Sequence, residues 1–284
     1  MSNSSSQSER TYEVILTREE GSESMQDSLA VEEPMEIRVV LGPNEKRTGK
    51  SLSITMRTPG HDFELAAGFL LTEGIITQSD HIQGFEFCGP VAEGRSEGNI
   101  VRVELTPEVE LDIKKLQRHF YTTSSCGICG KASLEAINAQ GLQAIEHDDF
   151  AIDDTVIRAL PDKLKAQQDV FARTGGLHAA GWFDHNGDLV AIREDVGRHN
   201  ALDKLIGNRL LNHSLSNAHS VVVVSGRASF ELLQKALVAR IPMLVAVGAP
   251  SSLAVDLARE FNMTLIGFAS KKRINVYSGR QRVR

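Results

Sequence analysis

Three short runs late in the chain, Val221–Val224, 243–247 and 264–268, are almost wholly apolar, and the segments 229–239 and 252–261 between them are patterned as helices. A strand that is apolar on both sides must be covered on both faces, and helical connections let such strands run parallel. This stretch therefore restricts the chain to an α/β architecture. None of the runs approaches the roughly 20 apolar residues that a membrane span requires. Upstream, 179–183 and 189–193 flank Asp184-His185-Asn186-Gly187, and an Asn-Gly turn between apolar runs predicts a β-hairpin. Asp154 and Pro161 each open a helical segment, the second ending near Phe171. Asn200 is placed to cap a helix carrying Leu202, Leu205, Ile206 and Leu210 along one side.

The first half has a different rhythm. Residues 1–29 are rich in serine and acid, with one strand-like stretch at 12–16, and have too little apolar surface to offset ordering entropy, so they are expected to form a mobile tail. From Met35 the pattern alternates: Met35, Ile37 and Val39 form one set, and Leu52, Ile54 and Met56 form a second beyond Gly42-Pro43-Asn44. Period two predicts half-buried strands. A helix follows from His61-Asp62, with Leu65, Ala66, Phe69 and Leu70 on one face and Gly74 at its end, and strands follow near 85–88 and 100–105. The expected organisation is a tail (1–29), an α+β unit (30–118) and an α/β unit (119–284).

The chain carries 31 Lys and Arg against 37 Asp and Glu, a net charge of −6, which weighs against a general nucleic-acid binder. Six of those cations and none of the acids fall in residues 271–284. There are three cysteines, too few for a disulfide framework, and the N-terminus lacks the basic flank and apolar core of a signal peptide. A cytoplasmic protein is expected. Cys126 and Cys129 lie in Ser124-Ser125-Cys126-Gly127-Ile128-Cys129-Gly130-Lys131, just ahead of a helical pattern. Glycines leave a thiol approachable, and a helix N-terminus with a nearby lysine lowers its pKa and increases the nucleophilic thiolate. A structural zinc site needs four ligands, and no second C-x-x-C or H-x-x-x-H completes one, so no bound metal is expected. Cys88 ends an apolar strand and suits the core.

Two further features point to an anion. Ser225-Gly226-Arg227 and Gly248-Ala249-Pro250-Ser251-Ser252 each join an apolar strand to a helix, placing small residues and helix N-termini on one sheet edge where phosphates bind well. The same residues would also suit tight turns. Phe268-Ala269-Ser270-Lys271-Lys272-Arg273 follows the last apolar strand and should bring three cations to that edge, although charge runs often only meet solvent. His178 and His199 flank these segments as candidates for a base or a phosphate contact, or as histidines satisfied within the fold.

Taken together these residues resemble the FdhD family of formate dehydrogenase accessory sulfurtransferases. The matching stretches are 56–62, 64–70, 124–130, 173–180, 195–204, 225–227, 248–257 and 267–279, and the likeness covers about residues 30–280. The resemblance implies a cytidine-deaminase-like three-layer α/β core with an additional N-terminal α+β unit, and a homodimer. It implies a carrier that accepts persulfide sulfur from a cysteine desulfurase on Cys126, with Cys129 as second thiol. The sulfur then passes to the molybdenum cofactor, bis-molybdopterin guanine dinucleotide, for formate dehydrogenase, and Phe268 to Arg273 correspond to the family's cofactor-binding stretch. A zinc nucleobase deaminase is disfavoured: His178-Ala179-Ala180 lacks the glutamate of H-x-E and lies downstream of the cysteines, and Ser125 replaces the required proline. A non-catalytic cofactor chaperone is the remaining alternative, needing the basic edge but not the thiols.

Overall fold

The computed structural model describes residues 8–91, 97–109, 141–146, 150–215 and 219–284; Cys126 and Cys129 lie outside them. The first unit is built on a four-stranded sheet. β3 (Glu33–Leu41) pairs antiparallel with β4 (Thr48–Arg57) and parallel with β6 (Ile100–Leu105), and β5 (Ile82–Cys88) closes the far edge. The alternation anticipated from Met35 is present: Met35, Ile37 and Val39 are buried, with Glu36 and Arg38 between them less so. The helix anticipated from His61-Asp62 is α1 (Asp62–Thr72).

The second unit is a six-stranded mixed sheet ordered β12-β11-β10-β9-β7-β8. β9 (Val221–Val224), β10 (Met243–Ala246) and β11 (Thr264–Ser270) run parallel, as their continuous apolar sequences require. The Asn-Gly segment turns β7 (His178–Phe183) into β8 (Leu189–Asp195), and β7 lies antiparallel to β9. Alternate side chains feed two cores. Val221, Val223, Met243 and Val245 meet Ile157, Leu160 and Leu164 of α2 (Asp154–Lys165) on one face. Val222, Val224, Leu244 and Ala246 face α4 (Arg198–Leu211), α5 (Phe230–Val238) and α6 (Ser252–Glu260) on the other. Helices thus cover both faces of the sheet.

Four local expectations need correcting. Residues 9–30, read as mostly mobile tail, form a hairpin of β1 (Glu9–Arg18) and β2 (Gly21–Ala30), paired along all ten positions. The ladder pairs the backbone groups that the two strands turn toward each other, and Glu9 is anchored by Arg173 Nε at 2.8 Å. Pro161 does not begin a helix. It sits inside α2, and the next helix, α3, is the short Asp169–Thr174. Asn200 is not a cap: α4 starts at Arg198 behind Gly197, and the Asn200 amide donates instead to Met56 O at 2.7 Å and Asp195 Oδ1 at 3.0 Å. Residues 268–273, expected to follow the last strand, are partly strand themselves: β11 runs on to Ser270 and the basic segment adds another strand. That strand is β12 (Arg273–Ser278), antiparallel to β11, and Arg282 is buried, donating to Asn262 O at 2.8 Å and Glu146 O at 3.0 Å.

The two units meet where α1 crosses α4 at glycines. A Cβ on Gly68 would stand 1.9 Å from Asp203 O, and one on Gly207 1.8 Å from Glu64 O. Beside the crossing, Arg193 of β8 grips both carboxylate oxygens of Glu64 of α1 through its Nε and Nη2. Burial alone would raise the Glu64 pKa, but hydrogen bonds from Arg193, His61 and Asn208 outweigh it and lower the value to about 2.

Candidate functional site

Because β7 is antiparallel to β9 and β8 to β7, the start of β7 and the end of β8 lie at the same rim as the C-terminal ends of β9, β10 and β11. That topology collects five segments: His178, residues 195–199, 225–227, 248–251 and 268–273. The turns are laced to one another. Ser225 N donates to Ala179 O at 3.0 Å, and Ser225 Oγ accepts from Ala179 N at 2.9 Å. Gly248 N donates to Gly226 O at 2.9 Å, Ser251 N to Ala228 O at 2.9 Å, and Phe268 N to Gly248 O at 3.0 Å. Several N–H groups that the sequence offered to an anion are therefore occupied in holding the rim together. Ser251 Oγ is also occupied, accepting from Ala254 N at 3.2 Å as the cap of α6, whose first residue is Ser252.

Phe268 adopts the left-handed conformation, φ 51°, at a bulge where the β11–β12 register shifts between Gly267 and Ser270. Such a backbone costs about 1 kcal/mol for a residue with a Cβ. Here it turns the peptide toward Gly248. Lys271 and Lys272 form the exposed turn of that hairpin, and the Arg273 guanidinium lies 5.3 Å from the centre of the Phe268 ring. Among the described residues, none of Arg198, Arg227, Lys271, Lys272 and Arg273 forms an ion pair. Arg227 lies against Gly248, where a Cβ would come within 3.0 Å of its Cγ. The rim carries the three cations of the basic run together with Arg198 and Arg227.

A cleft of about 570 Å³ opens beside the rim, between α2, α3 and the strand ends. His178, Ser225, Ala269 and Ser270 line it together, as do Leu164, Gln168 and Phe171. Burial and then the Arg198 charge push the His178 pKa below its ordinary value, with Asp195 opposing, so the ring is neutral at neutral pH. It can offer a hydrogen bond but not a cation. His199 is elsewhere: its Nε2 faces Ser229 Oγ at 3.4 Å, away from the cleft lining. Burial, Arg198 and Lys235 lower its pKa to about 4. The fold separates the two histidines that the sequence offered as equals.

Gln168 and Phe171 had no sequence signal of their own, since an isolated glutamine or phenylalanine near a helix start matches no motif. Asp195, likewise, is marked by no motif of its own. It is fully buried, pairs with Lys204 Nζ at 2.7 Å, and accepts from Thr58 N, Gly197 N and Asn200 Nδ2. That network fastens the first unit to the second. Among the described residues, no cluster of three His, Cys, Asp or Glu side chains could hold a metal ion, and no helix is long and apolar enough to cross a membrane.

These features define a mixed α/β protein with a cationic sheet rim beside a ligand-sized cleft. The architecture is shared with the crystal structure of a formate dehydrogenase accessory protein from Desulfotalea psychrophila, at a TM-score of 0.72 and 24% identity over 97% of this chain and 99% of that one. The chain belongs to the FdhD/NarQ family, whose model matches residues 30–284. It is 50% identical over 272 residues to a Streptomyces avermitilis protein named sulfur carrier protein FdhD, covering 95% of this chain and 94% of that protein. A Mycobacterium tuberculosis protein of the same name is 47% identical over 261 residues, covering 90% and 92%.

Proposed function

We propose that this chain is a sulfur carrier serving formate dehydrogenase, with bis-molybdopterin guanine dinucleotide as the substrate held at the rim. The observation that carries the reading is 50% identity, across almost the whole length, to a protein named as a sulfur carrier. The geometry supports it: unpaired cations suit phosphates, and a largely apolar cleft beside them suits a flat heterocycle. Cys126 thiolate attacks the outer sulfur of a cysteine desulfurase persulfide, forming the Cys126 persulfide and releasing the desulfurase thiol. The outer sulfur then passes to molybdenum. Delivered as sulfide it needs an electron pair, which Cys129 supplies by closing a disulfide with Cys126; a dithiol reductant reopens it. If Cys129 only tunes the Cys126 thiol, that reductant acts on the persulfide directly.

The test is formate dehydrogenase activity in cells whose only copy of this chain carries Cys126→Ala, together with mass spectrometry of the purified chain after desulfurase and cysteine. The expected results are loss of activity and one added sulfur on the 126–129 peptide of the unmutated chain. Full activity with Cys126→Ala would leave a cofactor chaperone as the function.

A further inference from the structure

The cleft contains one group that the fold leaves unsatisfied. Gln168 is 5% exposed, lines the cleft, and its side-chain Nε2 has no hydrogen-bond partner. A buried amide N–H without an acceptor is destabilising, so a side chain kept in that state invites an explanation. Gln168 occupies the N-cap position of α3, where a side chain commonly satisfies the first N–H groups. Here Glu194 does this from β8, accepting from Val170 N at 3.1 Å and Phe171 N at 2.9 Å. Burial raises the Glu194 pKa, although both N–H groups pull it down. With the helix end already satisfied, the Gln168 amide is available to the cleft. None of the acceptor side chains that line the cleft, Asp162, His178, Ser225 and Ser270, receives a hydrogen bond from it.

The geometry points to Gln168 as a specificity-determining residue whose amide N–H donates to the ring carbonyl of a flat lactam heterocycle seated in the cleft. This assignment rests on reading the rim as the cofactor site. It adds what recognises the cofactor in the cleft: guanine and pterin both carry a lactam carbonyl, and adenine does not. Such a donor discriminates strongly in a dry site, because a ligand without the acceptor leaves it unpaired.

The experiment is calorimetric titration of the full chain with GMP, AMP and pterin, repeated for Gln168→Met and Gln168→Glu, with the melting temperature of each free protein recorded. Gln168→Met keeps the volume and removes the orphaned donor, so the free protein should melt at or above the original temperature. Its affinity for GMP or pterin should fall about tenfold, as expected for one lost hydrogen bond. Gln168→Glu presents a carboxylate to the carbonyl and should weaken the same ligand at least as much. Loss for GMP alone assigns the cleft to the guanine end, and loss for pterin alone to the pterin end. Unchanged affinity in both variants overturns the role of Gln168 while leaving the cofactor reading intact. A melting temperature several degrees lower in Gln168→Met shows the amide to be structural and also overturns it. If neither lactam probe binds the unmutated chain, this assignment and the cofactor reading of the rim fall together, while the thiol chemistry of Cys126 is judged separately by the mass measurement.

Discussion

Lys204 and Asp195 hold opposite charges 2.7 Å apart with 1% and 0% of their side chains exposed. Isolated charges so deep would be untenable, and these are sustained by completeness. Lys204 also donates to Thr58 O at 2.7 Å, and the second Asp195 oxygen accepts from Gly197 N at 2.8 Å. Removing one member is therefore worse than never having had the pair. Lys204→Met should lower unfolding stability by about 3–5 kcal/mol, read as a lower urea midpoint at unchanged slope. Breaking the exposed Arg18–Glu23 pair with Arg18→Met should change it by less than about 1 kcal/mol; equal effects would refute the distinction. In the sequence, Asp195 is one acid among many, lying just ahead of a helical pattern. Nothing in a string of residues tells a buried carboxylate from a reactive one, because the difference lies in Thr58, more than a hundred positions away.

The helix crossing is the element most exposed to substitution. By propensity alone, Gly→Ala inside a helix gains about 1 kcal/mol. At Gly207 the added carbon would lie 1.8 Å from the backbone oxygen of Glu64, so separation of α1 from α4 outweighs that gain. Gly207→Ala is expected to destabilise by about 3 kcal/mol or more, whereas Gly84→Ala, with nothing within 4 Å of its Cβ, should be neutral or slightly stabilising. Chemical denaturation of both variants decides this. Elements set by local pattern were legible beforehand: β3 from alternation, β9 to β11 from unbroken apolar runs, and the β7–β8 hairpin from Asn-Gly, while β4 is a strand as expected but turns Ile54 and Met56 outward rather than into the core. Those that depend on a distant partner were not. β1 and β2 carry little apolar sequence, and their order comes from pairing with each other and from the Glu9–Arg173 anchor. β12 follows a run of cations and was obscured by them. The cleft was half legible: small-residue turns and basic residues marked its rim, but Gln168 has no meaning until Glu194 is seen satisfying the helix end it would otherwise cap.

At the scale of the whole molecule, acid should weaken the fold in two steps. His199 titrates near 6.5 when unfolded and at about 4 when folded, so as pH falls through that interval the unfolded chain takes up the proton first and stability declines. Glu64, near 4.5 unfolded and about 2 folded, gives a second decline at lower pH for the same reason. His199→Gln should flatten the upper step and leave the lower one; urea midpoints measured from pH 7 to pH 3 would show an unaltered upper step if His199 were not responsible. The rim has a different kind of whole-molecule consequence. Its five segments are drawn from residues 178 to 273 and meet only after β7 has paired with β9, and β9 with β10 and β11. Pairings so distant along the chain pay their loop-closure entropy early and form slowly. A partly folded molecule can possess sound helices and sound hairpins and still have no rim at all. On the proposed function, cofactor capture would report on completed folding, and a cargo that binds only the finished sheet would add its own binding free energy to the stability of the molecules that hold it.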